Sequence, residues 1–199
     1  MLEINRHNNI KPDCFNIQPA VLIVRAFTEE SLQEFTRGFI NAESTGQEII
    51  PIQIDSWGGN IDSLLGMIDI MDRSKRKICT FTSTKAYSAG SMLLAAGTPG
   101  YRFASKNSSI MLHEMSAVTR GKQSDMANSV AFYESLNKKI LALLDRFANK
   151  ESEFFKKKFL EKGNTDLFLS PTQAVNLSLV DQVKSPTFEI SVEQRFNLV

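Results

Sequence analysis

Three short stretches carry residue types capable of acyl-transfer chemistry. Tyr87-Ser88-Ala89-Gly90-Ser91 places two serines among small residues where a helix is expected to begin. A hydroxyl there stays accessible, and the next peptide N–H lies near a carbon under attack. This is the logic of a nucleophile elbow, although the pattern Gly-x-Ser-x-Gly is not met. Ile110-Met111-Leu112-His113-Glu114 ends an apolar run on a histidine. The only other histidine, His7, lies in a polar N-terminal stretch. His113 is therefore the well-placed source of a neutral imidazole to take a proton from serine. Gly58-Gly59 falls between a strand and a helix, where paired glycines allow a sharp turn and expose N–H groups that can hold an oxyanion. Each stretch has a plainer reading: Ser88 as a helix cap with Ser91 in competition, His113 as a hydrogen-bonded structural residue, and Gly58-Gly59 as a tight turn.

The elements that must position these groups follow from hydrophobic patterning. Ala20–Arg25 is an apolar, β-branched run of the kind found in strands buried on both faces. Thr28-Glu29-Glu30 opens a helix with a hydroxyl cap and first-turn carboxylates, and Leu32, Phe35, Phe39 and Ile40 form its stripe. A strand over Ile49–Ile54 leads into Asp55-Ser56-Trp57-Gly58-Gly59-Asn60, followed by a helix with Ile61, Leu64, Leu65, Ile68 and Met71 at helical spacing. A third strand, Lys77–Thr82, runs into the Ser88 segment, and Ser91–Ala96 reads as the next helix. Short strands are expected at 101–104 and 109–112. Strand alternating with helix predicts stacked βαβ units around a mainly parallel sheet, with sites at the strand ends. From Lys122 to Leu160 the pattern becomes one long Lys/Glu-rich helical region with Leu136, Ile140, Leu143, Leu144 and Phe147 on its apolar face. Gly163-Asn164 breaks it, and Ser170-Pro171 starts a last helix.

With 199 residues, 42% of them hydrophobic, the chain has the material for one globular domain. A net charge of +1 from 23 basic and 22 acidic residues provides no field for a polyanion, so nucleic acid is a poor candidate partner. Cys14 and Cys79 match no zinc spacing, no metal site is expected, and Cys79 reads as a buried reduced thiol. Neither a secretory leader nor a membrane span is legible, which points to a soluble, cytoplasmic protein.

In order and spacing, these segments resemble the proteolytic subunit of the Clp protease. That family has a Ser-Pro-Gly-Gly loop, a serine turn followed by Leu-Leu-x-Ala-Gly, a Met-Ile-His strand, an aspartate before Phe-Leu-Ser, an Ala-Val helix and Leu-Val-Asp. Here they read Ser56-Trp57-Gly58-Gly59, Ser88 ahead of Leu93-Leu94-Ala95-Ala96-Gly97, Met111-Leu112-His113, Asp166-Leu167-Phe168-Leu169-Ser170, Ala174-Val175 and Leu179-Val180-Asp181. The match spans about Ala20 to Val183.

The resemblance implies an α/β, ClpP/crotonase-like fold of stacked βαβ units with a long helical handle segment. It divides the chain into an N-terminal arm (1–19), an α/β head (20–121 and 161–183), a handle (122–160) and a C-terminal tail (184–199). It implies a serine endopeptidase with Ser88 as nucleophile, His113 as base and Asp166 orienting the imidazole. Counting back from Leu93 selects Ser88 over Ser91. Backbone N–H groups of Gly59 and Ala89 are implied as the oxyanion hole, with Gly58 and Trp57 beside the substrate. The family's subunit needs no metal or nucleotide. Its ATP is consumed by a separate AAA+ unfoldase, and its subunits form stacked seven-membered rings around a chamber that admits polypeptide.

Trp57 stands where the family has proline, Ala89-Gly90 where it has Met-Gly, and Glu114-Met115 where it has Gln-Pro; a carboxylate at Glu114 is a candidate electrostatic perturber of His113. The alternatives are a capsid-maturation or signal-peptide-peptidase-like enzyme, a catalytically weak structural ring subunit, and a crotonase-like acyl-CoA enzyme. The last uses pocket carboxylates in place of a serine–histidine pair.

Overall fold

Residues 19–189 are described by a computed structural model; the first 18 residues, with His7, Cys14 and most of the expected arm, and the tail beyond residue 189 lie outside the described residues. The first half of the chain runs β1 (Leu22–Val24), α1 (Glu29–Ser44), β2 (Ile49–Ile54), α2 (Ile61–Arg73), β3 (Lys77–Thr82), β4 (Lys85–Tyr87) and α3 (Ala89–Ala95). The second half runs β5 (Arg102–Ala104), β6 (Ser109–Leu112), α4 (Gln123–Phe147), α5 (Phe154–Glu161), β7 (Leu167–Leu169), α6 (Pro171–Asn176) and β8 (Gln182–Val183).

Helix boundaries follow local chemistry. Thr28 and Ser31 form a reciprocal capping box that starts α1, Asn60 accepts from the N–H groups of Asp62 and Ser63 to start α2, and Ser170 and Gln173 repeat the box at α6 with Pro171 in its first turn. On α1 the buried face is Phe35, Phe39 and Ala42. Ile40 lies outside it and is 62% exposed, because one residue further along a helix is a turn of about 100° away. The expected single helical region after Lys122 is two helices. The chain reverses between them through Asn149 and Glu153, both at positive φ, while buried Asp145 accepts from the N–H of Phe155 at 3.0 Å.

Strand pairing gives two sheets. The larger is fully parallel, in the order β1-β2-β3-β5-β8, and its central strands are filled with Ile50, Ile52, Ile54 and Ile78. The smaller, in the order β4-β6-β7, pairs β4 and β6 in parallel and β6 and β7 antiparallel. Sequence patterning predicts neither β4 nor β7 as a strand. An isolated bridge between Ser56 and Ala86, with Ser56 N–H donating to Lys85 and Tyr87 N–H to Ser56, joins the end of β2 to β4. The ends of β2, β4 and β6 and the beginning of β7 therefore meet at one place.

Arg102, 4% exposed, holds the opposite side together. Its guanidinium donates twice to Asp181 at 2.7 and 3.1 Å, and once each to the carbonyls of Phe147 and Ala95. Asp181 also accepts the N–H groups of Gly100 and Arg102. Burial by itself raises the Asp181 carboxyl, but the hydrogen bonds and charge of Arg102, with the Gly100 N–H, outweigh it and hold the group below the ordinary aspartate range. A depressed folded-state pKa contributes stability that is present above the unfolded value and lost as the pH falls through the folded one. Asp181→Asn leaves a buried guanidinium short of its counter-charge and is expected to cost about 3–5 kcal/mol of stability at neutral pH. In chemical denaturation, this gap to the parent protein should narrow as the medium is acidified through the carboxylate range.

Candidate active site

Ser88 follows β4 and occupies φ 55°, ψ −122°, a conformation that side-chain-bearing residues rarely adopt. Its N–H donates to the Met111 carbonyl of β6 at 2.8 Å. Its own carbonyl accepts from the N–H groups of Ser91 and Met92 in the first turn of α3. The hydroxyl is thereby turned out of the helix cap: Ser88 makes no capping bond with its side chain. Ser91 does the opposite, donating its hydroxyl to the Ser88 carbonyl at 2.6 Å from a buried position.

His113, one residue past β6, brings Nε2 to 2.8 Å from Ser88 Oγ. Its Nδ1 lies within hydrogen-bonding distance of the Glu114 carbonyl oxygen. A carbonyl only accepts, so this contact requires the proton on Nδ1 and leaves the Nε2 lone pair toward the serine hydroxyl. Asp166 stands at the register position opposite His113, continuing the pairing Met111↔Phe168 and Leu112↔Leu167 by one residue. It is exposed, and no hydrogen bond joins it to His113 among the described residues. The structure thus brings Ser88 and His113 into contact and puts Asp166 across the strand pair, with a peptide carbonyl on the imidazole where the resemblance implies the aspartate.

The Gly58-Gly59 turn lies against Ser88. Gly58 has φ 102°, and a Cβ on it would fall 2.6 Å from the Ser88 Cβ. Gly59 has φ 150°, and a Cβ there would meet the Phe27 carbonyl oxygen at 2.6 Å. The Gly58 N–H is taken by the hydroxyl of buried Ser56 at 3.0 Å. The N–H groups of Gly59 and Ala89 have no partner among the described residues. Two free donors flanking a serine hydroxyl suit a developing oxyanion.

Behind Ser88 and His113 opens a cavity of about 290 Å³, lined mainly by apolar side chains including Leu64, Met92, Leu112, Leu136 and Ile140. Part of the apolar α4 stripe, Leu136, Ile140 and Leu144, therefore faces the chain's own site. Trp57 does not line this cavity. It is 71% exposed, its ring edge-on to Tyr87 at 5.2 Å and under the Lys85 ammonium at 5.0 Å. Sequence reasoning missed Ser56, the Glu114 carbonyl and the cavity wall. Of these only Ser56 left a local signal, a hydroxyl two residues before a glycine N–H, as in a serine turn. Cys79 is buried in β3, and burial pushes its thiol up to about 11, out of the range of a nucleophile.

Gly58→Ala places a methyl against Ser88 at a backbone angle alanine disfavours, and is expected to abolish reaction at Ser88. Ser91→Ala should retain it within about threefold, since it leaves Ser88, His113 and the Gly59 and Ala89 N–H groups in place. Both outcomes are read from the rate of covalent labelling by a serine-directed phosphonate.

Residues 15–187 match the family described as Clp protease. The chain is 35% identical over 148 residues to the ATP-dependent Clp protease proteolytic subunit 2 of Frankia casuarinae, spanning 73% of this chain and 64% of that protein. It is 34% identical over 148 residues to proteolytic subunit 1 of Prochlorococcus marinus, spanning 73% and 72% of the two chains. It is 33% identical over 153 residues to the proteolytic subunit of Deinococcus radiodurans, spanning 75% and 71%. With the fold, the serine elbow and the histidine in the same order along the chain, these matches show that the chain belongs to the Clp protease family.

Proposed function

We propose that this chain is a serine endopeptidase of the Clp type, and the contact that carries the reading is Ser88 Oγ against His113 Nε2 at 2.8 Å. Ser88 attacks the scissile carbonyl while His113 takes its proton and later delivers it to the leaving amine. The Gly59 and Ala89 N–H groups receive the oxyanion. The Glu114 carbonyl holds the tautomer, and Asp166, at the register position opposite His113, is the third member that the family resemblance implies. The proposed reaction runs on these side chains and backbone groups, and calls for no metal or nucleotide in this subunit.

The apolar cavity beside Ser88 takes the residue on the N-terminal side of the scissile bond. Burying a Leu- or Phe-sized side chain there is worth about 1.5–3 kcal/mol, or roughly 10- to 100-fold in kcat/KM over a charged residue. Exposed apolar side chains before and along the first half of α4 include Val118 (85% exposed), Val130 and Phe132 (62%). This segment suits burial against a second ring of the same chain, which would enclose the sites in a chamber. Delivery of unfolded polypeptide then falls to a separate ATP-driven unfoldase in the cytoplasm.

A fluorophosphonate, followed by mass mapping, is expected to modify Ser88 and to fail in His113→Ala. A label elsewhere, or none while small peptides are hydrolysed, contradicts the assignment. Asp166→Asn is expected to lower kcat/KM by about 10²-fold, short of the roughly 10⁴-fold loss when an aspartate alone holds the imidazole.

A further inference from the structure

We propose that Asn137, on α4, is a positioning residue that holds the catalytic imidazole through one peptide unit. The inference rests on the serine-peptidase reading of Ser88 and His113. Asn137 Oδ1 accepts the N–H of Met115 at 3.1 Å, and its Nδ2 donates to Glu114 Oε1 at 3.4 Å. The Met115 N–H and the Glu114 carbonyl belong to the same peptide group, and that carbonyl is the one meeting His113 Nδ1. A peptide group is planar, so holding its N–H fixes the direction of its C=O. The result is a continuous chain: Ser88 hydroxyl, imidazole, peptide, Asn137 amide. Each bond in it polarises the next.

Geometry makes the clamp consequential. Residues 113–122 carry no helix or strand, so nothing in a ladder fixes the Glu114–Met115 peptide. Asn137 lies 22 residues further on, on a helix anchored to the core by Ile140, Leu141 and Leu144. Its own side chain is only half-buried, so replacing it leaves that anchor in place. Leu136 and Ile140 on the same helix line the apolar cavity, so α4 bounds the substrate pocket and steadies the base together. The second bond, to Glu114, gives the carboxylate beside the imidazole a partner on the same helix.

The test uses the full-length chain, a small fluorogenic peptide with an apolar residue before the scissile bond, and fluorophosphonate labelling of Ser88. Asn137→Ala and Asn137→Leu are expected to lower kcat and the labelling rate together by about 10- to 100-fold, the cost of an ångström-scale misplacement. KM should stay within about twofold, since the pocket wall is unchanged. Asn137→Asp keeps the acceptor for Met115 but sets a carboxylate against Glu114, and should lose activity. Asn137→Asp combined with Glu114→Gln restores an amide–carboxyl pair of reversed polarity, and should recover most of it.

Wild-type rates in both the alanine and leucine variants overturn the proposal. So does a double variant no more active than Asn137→Asp, or a loss that follows the folded fraction measured by thermal melting and native mass. Labelling of Ser88 that requires His113 but ignores Asn137 removes only this inference. No labelling of Ser88 in the wild-type protein removes the peptidase reading, and this inference with it.

Discussion

The site depends on one constrained residue. Ser88 sits at a backbone angle that costs roughly 1–3 kcal/mol for a residue with a side chain, and it does so between two fixed bodies. On one side its N–H is tied to Met111 in β6; on the other its carbonyl is built into the first turn of α3. Neither tie works if Gly58 carries a side chain, since the turn after β2 packs directly on the Ser88 Cβ. The strain has a use: it turns the hydroxyl away from the helix N-terminus it would otherwise cap and toward His113, while the Ala89 N–H stays free.

The electrostatics around the imidazole differ from those of a serine–histidine–aspartate line. A peptide carbonyl fixes the tautomer as well as a carboxylate does, because it too can only accept. It stabilises the imidazolium less, since it carries a partial charge only. Asp166 is exposed at the register position across the strand pair, where a charge is screened by water. In the proposed mechanism, a base held this way relies more on orientation, and hence on what holds the Glu114–Met115 peptide, than one clamped by a buried carboxylate. The same segment reaches α4 through Asn137, so the helix that bounds the apolar cavity also holds the peptide that meets the imidazole.

Much of the fold was legible because its signals are local. Continuous β-branched runs at 20–25, 49–54 and 77–82 read as buried strands, and Thr28, Asn60 and Ser170 mark helix starts through hydrogen bonds to residues within three positions. The smaller sheet was not legible. Lys85-Ala86-Tyr87 is three residues long and without apolar alternation, and it is a strand only because Ser56 and β6 lie on either side of it. In the site, the histidine and the glycine pair stood out by residue type, whereas Ser88 and Ser91 were separable only by resemblance until their backbone was known. The Glu114 carbonyl and the Asn137 amide left no signal, because a backbone oxygen has no sequence identity and the amide reaches it across 22 residues.

The most direct test of the Ser88 site is a structure of the protein after reaction with a peptidyl phosphonate. Phosphorus should be bonded to Ser88 Oγ, with its oxyanion-mimicking oxygen about 2.7–3.1 Å from both the Gly59 and Ala89 nitrogens and the apolar side chain of the inhibitor in the cavity bounded by Leu64, Met92 and Ile140. Phosphorus on another residue, or an oxygen directed away from those two N–H groups, would contradict the site described for this chain.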